Sequence, residues 1–310
     1  MACFLLFGKS SGAAGDDSVA AKASCCSLLK GDVRLTTYIL APGDRLSLLA
    51  ERFGIENEAV VRCNPAVRPS EMSVGDVIVL PLPRSVRLPR TELSKAIDRG
   101  LRGQGRIALT FDVGADVGAL DELLAVLRDR GVRSTFFVTG LWVKRHPDAL
   151  KRIVAGGHEA FNHTFTHPLL PRLTSEQMVE ELEKTDRIIQ QTLGRRPLPY
   201  FRSPFGDFNR RVLNVAGEAG WQCVYWTLDS CDSIGPTKTP RSLVKRVLSP
   251  SGIRDPHRFL DGAIILFHAA EPATARAMWP ILDGLAEMGL EPVPLTTLLE
   301  PAKPHGNNEK

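Results

Sequence analysis

Residues 106–138 read RIALTFDVGADVGALDELLAVLRDRGVRSTFFV, and this stretch decides the fold class. A β-prone apolar run from Ile107 to Phe111 stops at Asp112. A helical segment follows from Asp116 to Arg130, and a second β-prone run occupies Ser134 to Val138. The alternation continues outward. Helices are predicted at Trp142 to Ala155, Ser175 to Leu193, Arg210 to Ala219, Pro240 to Leu248 and Ala273 to Met288, with strands at Gln222 to Leu228 and Ala263 to Phe267. Alternating β and α elements build a parallel sheet or barrel, so the chain reads as α/β with its site at the C-terminal ends of the strands.

The bulk properties fit a folded chain. Over 310 residues, 43% are hydrophobic, 24% charged and 6% aromatic, which excludes wholly disordered, collagen-like and disulfide-scaffold classes. A net charge of +4 is too mild to demand nucleic acid as a partner, though it suits an anionic surface such as a cell wall. No run reaches the ~18 apolar residues of a membrane span. The apolar opening, Met1 to Phe7, is shorter than a signal-peptide core, and no export signal is visible. Ala23-Ser24-Cys25 matches a lipoprotein cleavage box only in part, because Lys22 stands where an apolar residue belongs. The six cysteines (Cys3, Cys25, Cys26, Cys63, Cys223, Cys231) lack C-x-x-C spacing and do not fix the redox compartment.

Upstream of the α/β region the pattern changes. Residues 1–34, rich in Ser, Ala and Gly, read as a flexible tail. A β-prone run, Leu35 to Leu40, turns at Gly43-Asp44 into a segment with Leu46, Leu49, Ala50 and Phe53 at helical spacing. A second short helix runs from Glu56 to Cys63, and Val77 to Leu80 closes the unit as a strand. This β-α-α-β unit, residues 35–83, resembles the LysM carbohydrate-binding module. The resemblance rests on Tyr38, Gly43-Asp44, Leu46, Ala50, Phe53, Val60, Asn64-Pro65, Gly75-Asp76, Val79 and Pro81. It implies binding of N-acetylglucosamine polymers, while Leu46, Ala50 and Phe53 also serve as plain core. Residues 84–104 carry Arg84, Arg87, Arg90, Arg99 and Arg102 and read as a basic linker; 301–310 read as a tail.

Five polar clusters fall at strand ends or in loops: Thr110-Phe111-Asp112, His163-Thr164-Phe165-Thr166-His167, Arg202-Ser203-Pro204-Phe205-Gly206, Asp229-Ser230-Cys231-Asp232 and Leu266-Phe267-His268. Each is weak alone, since a strand-end Asp is often a helix cap. Together they carry chemistry. Two imidazoles four apart, with a carboxylate from another strand, form a face that suits a catalytic divalent metal such as zinc, with positions left open for water and substrate. Such an ion acidifies water and polarises a carbonyl, as amide cleavage requires. Asp112 can take the proton from water and His268 can return one to the departing amine.

In this order the motifs resemble the NodB-homology polysaccharide deacetylases, carbohydrate esterase family four, over about residues 105–300. The resemblance implies a distorted (β/α) barrel that removes acetyl groups from N-acetylated sugars. It assigns Asp112 as base, His163 and His167 as metal ligands and His268 as acid. Arg202 would hold Asp112 and Asp232 would tune His268. The Phe205 amide would face the oxyanion, and Leu266 would border the acetyl methyl. His158 reads as structural, and His146, His257 and His305 as solvated. Asp229 is either a cleft residue or a turn cap. Tyr225 and Trp226 read as alternating on a strand, one facing the core and one the cleft.

The chain also departs from the pattern. The family has two consecutive Asp residues in its first motif, the second a metal ligand, where this chain has Asp112-Val113. Three readings follow: Asp116 replaces the ligand, Asp112 itself binds the metal, or water fills the position. Asp116 could equally cap the helix expected to begin there. Phe205 stands where Tyr is common and Ser233 where Trp is common. The expectation is a metal-dependent N-deacetylase of peptidoglycan, with chitin as the other polymer, placed outside the cytoplasm or at the cell wall by its domain content. The alternatives are a non-catalytic wall-binding protein with a degenerate barrel, and a hydrolase of a small non-sugar amide.

Overall fold

The computed structural model describes residues 33–40, 44–64, 77–83, 95–114, 116–234 and 238–299. Gly43, Pro65, Gly75, Asp76, both expected tails apart from Val33 and Arg34, and the first half of the expected linker lie outside them.

The small N-terminal unit has the expected β-α-α-β order. Strand β1 (Val33–Ile39) pairs antiparallel with β2 (Val77–Pro83), Tyr38 opposite Ile78. Between them run α1 (Leu46–Phe53) and α2 (Asn57–Cys63). Leu46, Leu49, Ala50 and Phe53 form the inward face of α1 and close on Tyr38, Val60, Ile78 and Leu80. Gly54, at φ 62°, ends α1 in the left-handed conformation that glycine reaches without strain. Cys63 is disulfide-bonded.

The larger unit is a curled, eight-stranded parallel sheet wrapped by helices, the expected distorted (β/α) barrel. At its centre is β3 (Arg106–Val113), flanked by β4 (Thr135–Val138) and β9 (Ile264–His268). Beyond β4 lie β5 (Glu159–Asn162), β6 (Tyr200–Phe201) and β7 (Gln222–Cys223); beyond β9 lies β8 (Leu228–Asp229). β10 (Glu291–Pro292) pairs with the base of β3. Both faces are covered, which is why β3 is apolar almost throughout. Pleating divides it. Ile107, Leu109, Phe111 and Val113 join the outer cluster with the helices, while Ala108 joins an inner cluster with Phe137, Phe161 and Ile264. The same alternation turns Thr110 and Asp112 inward, as it does Leu266 and His268 on β9.

The chain continues through α3 (Leu120–Asp129), α4 (Gly140–Arg145), α5 (Pro147–Ala155), α6 (Ser175–Leu193), α7 (Arg210–Glu218), α8 (Pro240–Leu248), α9 (Pro256–Leu260), α10 (Pro272–Glu287) and α11 (Leu295–Leu299). Among the described residues no helix is long and apolar enough to cross a membrane.

Several expected elements change. The single helix predicted at Trp142 to Ala155 is two, because Pro147 lacks an N–H and holds His146 at φ −130°, ψ 55°. The helix expected from Asp116 starts at Leu120. The strand predicted at Gln222 to Leu228 is split into β7 and β8, which lie at opposite edges of the curled sheet. Residues 224–227 cross the gap, and the second half of the expected linker laces it shut. Ile97 bridges Val224 and Arg99 bridges Ala263. The Ile97 N–H donates to the Cys223 carbonyl (2.9 Å), and the Tyr225 N–H donates to that of Ile97 (2.6 Å). The Arg99 guanidinium donates to the carbonyls of Phe259 and Asp261 (2.7 and 2.9 Å). Residues 95–104 therefore belong to the barrel.

Candidate active site

Asp112 ends the inward face of β3 beneath a cleft of about 560 Å³. Its partner is Arg202, wholly buried just after β6. Arg202 Nη1 donates to Asp112 Oδ1 (2.8 Å), Nη2 to Thr110 Oγ1 (2.9 Å) and to the Tyr225 carbonyl (3.2 Å), and Nε to the Val224 carbonyl (3.4 Å). The guanidinium also lies over the Phe137 ring, 4.2 Å from its centroid. Burial alone would raise the Asp112 pKa, but Arg202, with His163 and His268, outweighs it and holds the carboxyl below its ordinary value. Asp112 is thus a buried carboxyl whose ionised form is favoured.

His163 follows β5. Its Nδ1 lies 3.0 Å from the Arg202 carbonyl and donates to it, which leaves the Nε2 lone pair facing Asp112 Oδ2 at 3.5 Å. Burial lowers its pKa, so two acceptors face each other. A cation between them relieves that arrangement, and the carbonyl on the far nitrogen is the support a metal-binding imidazole needs. His167 stands edge-on to His163, ring centroids 4.9 Å apart, and its pKa is pushed down to about 4, chiefly by burial. Two neutral imidazoles thus fit a divalent ion as donors. Among the described residues no group of three His, Cys, Asp or Glu side chains gathers as a metal site. Val113 is buried in the outer apolar cluster as well as bordering the cleft.

The opposite wall carries His268 at the end of β9. Asp232, fully buried, accepts from His268 Nδ1 through Oδ1 (2.7 Å), and through Oδ2 from the His268 N–H (2.7 Å) and Thr274 Oγ1 (2.5 Å). Burial would lower the His268 pKa; the bond to Asp232 and the charges of Asp112, Asp232 and Asp229 outweigh it, and the pKa lies above the usual histidine value. One cleft therefore holds a carboxyl whose ionised form is favoured and an imidazole whose protonated form is favoured, the separation that acid–base chemistry requires.

Phe205 (φ 61°) and Gly206 (φ 65°) form a left-handed turn, pressed so closely on Trp226 that a Cβ at Gly206 would lie 2.4 Å from its ring. The Phe205 side chain is 67% exposed in the cleft, beside His167. Leu266, Trp226, Asp229, Ser233 and Ile234 complete the walls. Asp229 combines both expected roles, since it borders the cleft and its Oδ1 accepts from the Cys231 N–H (2.7 Å). Tyr225 and Trp226 do not alternate on a strand. They stack at 3.9 Å, and Tyr225 turns to Phe208. His158 is structural: it is buried, accepts from the Ser134 N–H (3.1 Å) and has its pKa pushed down to about 4.

Asp116 is exposed, accepts from the neighbouring Val117 N–H (2.7 Å), and is absent from the residues lining the cleft. The helix cap expected of it is overturned, because α3 begins at Leu120 with Ala119 before it. Sequence reasoning missed Thr274 behind Asp232, Ile234 on the rim, and the residues that shape the histidine turn. For Thr274, and for Glu181 at the histidine turn, the signal is spatial, with partners 15 to 42 residues away.

The sequence profile of the polysaccharide deacetylase family matches residues 100–224. A chitooligosaccharide deacetylase of Bradyrhizobium sp. (strain ANU 289) is 31% identical, over 63% of this chain and 91% of its own length. The Bacillus subtilis protein YlxY is 31% identical over 66% of this chain; the match spans 60% of YlxY. Among solved structures, a Bacillus anthracis CE4-family pseudoenzyme is similar at a TM-score of 0.60, with 29% identity over 67% of this chain and 69% of that one.

Proposed function

The chain belongs to the polysaccharide deacetylase family, and we propose that it is a metal-dependent N-deacetylase of an N-acetylglucosamine-containing polymer, peptidoglycan first and chitin second. The observation that carries this reading is the pairing of Arg202-held Asp112 with Asp232-held His268 across one cleft. A divalent ion such as zinc, held by His163 and His167, would supply an acidified water and a polarised acetyl carbonyl. Asp112, kept ionised by Arg202, takes the proton from the attacking water. His268, kept protonated with the help of Asp232, donates to the departing sugar nitrogen. The Phe205 backbone faces the oxyanion, Leu266 borders the methyl, and Trp226 and Asp229 line the sugar's path.

The β-α-α-β unit is proposed to act as a LysM anchor, raising the local concentration of polymer at the barrel. A location outside the cytoplasm or at the wall goes with that substrate, and the Cys63 disulfide supports it, since disulfides persist in oxidising compartments. A second reading, a non-catalytic barrel, is favoured by Val113 at the motif's second position and by the likeness to a pseudoenzyme. Acetate release decides between them. The purified protein is incubated with N-acetylated peptidoglycan and with chitin oligomers, with chelator and then with added zinc. Turnover that chelation removes and zinc restores supports the deacetylase. Turnover unchanged after verified metal removal rejects the metal mechanism, and none on either polymer at any metal concentration rejects the enzyme.

A further inference from the structure

The turn that carries His167 is held in an uncommon backbone shape: Thr164 lies at φ 65° and His167 at φ 62°, the left-handed region that non-glycine residues enter at a cost. Such a shape persists only where the surroundings over-determine it. Here every backbone polar group from the Thr164 N–H to the Thr166 N–H has a protein partner. The Thr164 N–H donates to Asn162 Oδ1 (2.8 Å). The Thr164 and Phe165 carbonyls accept from the N–H groups of Gly140 and Leu141 at the start of α4 (3.0 Å each). The remaining two donors meet one side chain on α6. Glu181 Oε2 accepts from the Phe165 and Thr166 N–H groups (2.9 and 2.7 Å), and Oε1 accepts from Thr166 Oγ1 (2.9 Å).

We infer that Glu181 is a positioning residue, which aims the His167 imidazole into the cleft by clamping residues 165 and 166 from outside. This rests on the reading of His167 as a metal donor. The space on the other side of the turn is already closed: a Cβ at Gly140 would lie 2.1 Å from the Phe165 ring, so the turn is gripped between α4 and α6. Glu181 lines no part of the cleft and hydrogen-bonds to neither histidine, so its effect passes through the backbone. What the clamp needs is reach and acceptors, not charge. A glutamine retains both, since its oxygen can accept from the two amides and its NH2 can donate to the Thr166 hydroxyl. An aspartate retains the charge but is one methylene too short.

The test uses the full chain and cobalt(II), whose uptake is read by its visible spectrum and by calorimetry, alongside the melting temperature of the metal-free protein. Glu181→Gln is expected to bind cobalt within about twofold of the wild type, while Glu181→Asp and Glu181→Ala bind about 10- to 100-fold more weakly, as losses around a ligating histidine do. The melting temperatures of Glu181→Gln and Glu181→Asp should stay close to each other, so that a general loss of stability does not mimic the effect. Wild-type affinity in Glu181→Asp overturns the inference, as does equal weakening of Glu181→Gln and Glu181→Asp, which would mean charge or packing and not reach. If the wild-type chain itself takes up no cobalt, the metal reading fails on its own control, and the inference falls with it.

Discussion

The two walls of the cleft are built to different degrees of completeness. On the β8–β9 side, His268 is fully supported by the protein: Asp232 is buried, and it satisfies the imidazole, the His268 N–H and Thr274 together. On the β3–β5 side, Asp112 is tied to Arg202, but His163 turns a lone pair toward a carboxylate oxygen, and the second motif position is Val113. The His268 wall is complete in side chains alone, whereas on the proposed reading a cation would complete the other. Loss of one residue therefore has different meanings on the two sides.

The largest effect is expected where the metal-side wall has its one ion pair. Arg202→Met leaves Asp112 buried and without its partner, and removing one member of a buried pair costs about 3–5 kcal/mol. A large fall in melting temperature together with lost acetate release is expected. Near-normal stability would show that Asp112 is already neutral in the folded chain, which would break the contrast drawn between the walls.

On the acid wall, Asp232→Asn should leave the metal side untouched and act on pH dependence. His268 must be protonated to donate, and its pKa is raised because Asp232 and the other carboxylates outweigh burial. Without Asp232 the balance swings toward burial, so the alkaline limb of the rate–pH profile moves to lower pH. Loss at neutral pH of roughly 10²- to 10⁴-fold, the usual worth of a positioned acid, is expected, with partial recovery as the pH falls. An unmoved limb would assign that titration to another group.

How far these walls could be read in the sequence depends on whether a residue's partners are local. The α6 span, Ser175–Leu193, is legible to the residue because Thr174 and Gln177 cap each other, and α8 begins at Pro240 after a Thr239 cap. The polar clusters were legible because strand ends in an α/β chain collect chemistry. By contrast, β6 and β7 have two residues each and exist only through register with neighbouring strands. The 95–104 strap is polar and arginine-bearing, with partners more than 120 residues away, so nothing local separates it from a linker. Glu181 reads as one more acid on an amphipathic helix.

The valine position sharpens the comparison further. Val113→Asp would offer a third donor beside the two imidazoles, and a two-histidine, one-carboxylate set should raise metal affinity about tenfold or more. Val113 now packs in the outer cluster, so the carboxylate must turn inward at the strand end to do this. Tighter metal binding with higher turnover is the expected outcome. A lower melting temperature with unchanged affinity would mean that the pleat keeps residue 113 facing the helices, and that the β3 end is closed to a carboxylate ligand.

The smallest effect is expected at Asp116. A ligand that replaces the missing carboxylate should lower metal affinity when removed, and a helix cap should cost about 0.5 to 2 kcal/mol of stability. The structure gives Asp116 neither position: it is exposed, its carboxylate accepts from the next residue's N–H, and α3 starts four residues later. Asp116→Ala should therefore change stability by less than about 0.5 kcal/mol, as exposed substitutions do, and leave the metal dissociation constant where it was. A tenfold weaker constant that recovers at high metal would place Asp116 in the coordination sphere after all. In that case the metal-side wall would be complete in side chains, and the difference between the two walls would lie in the loop that delivers the third ligand.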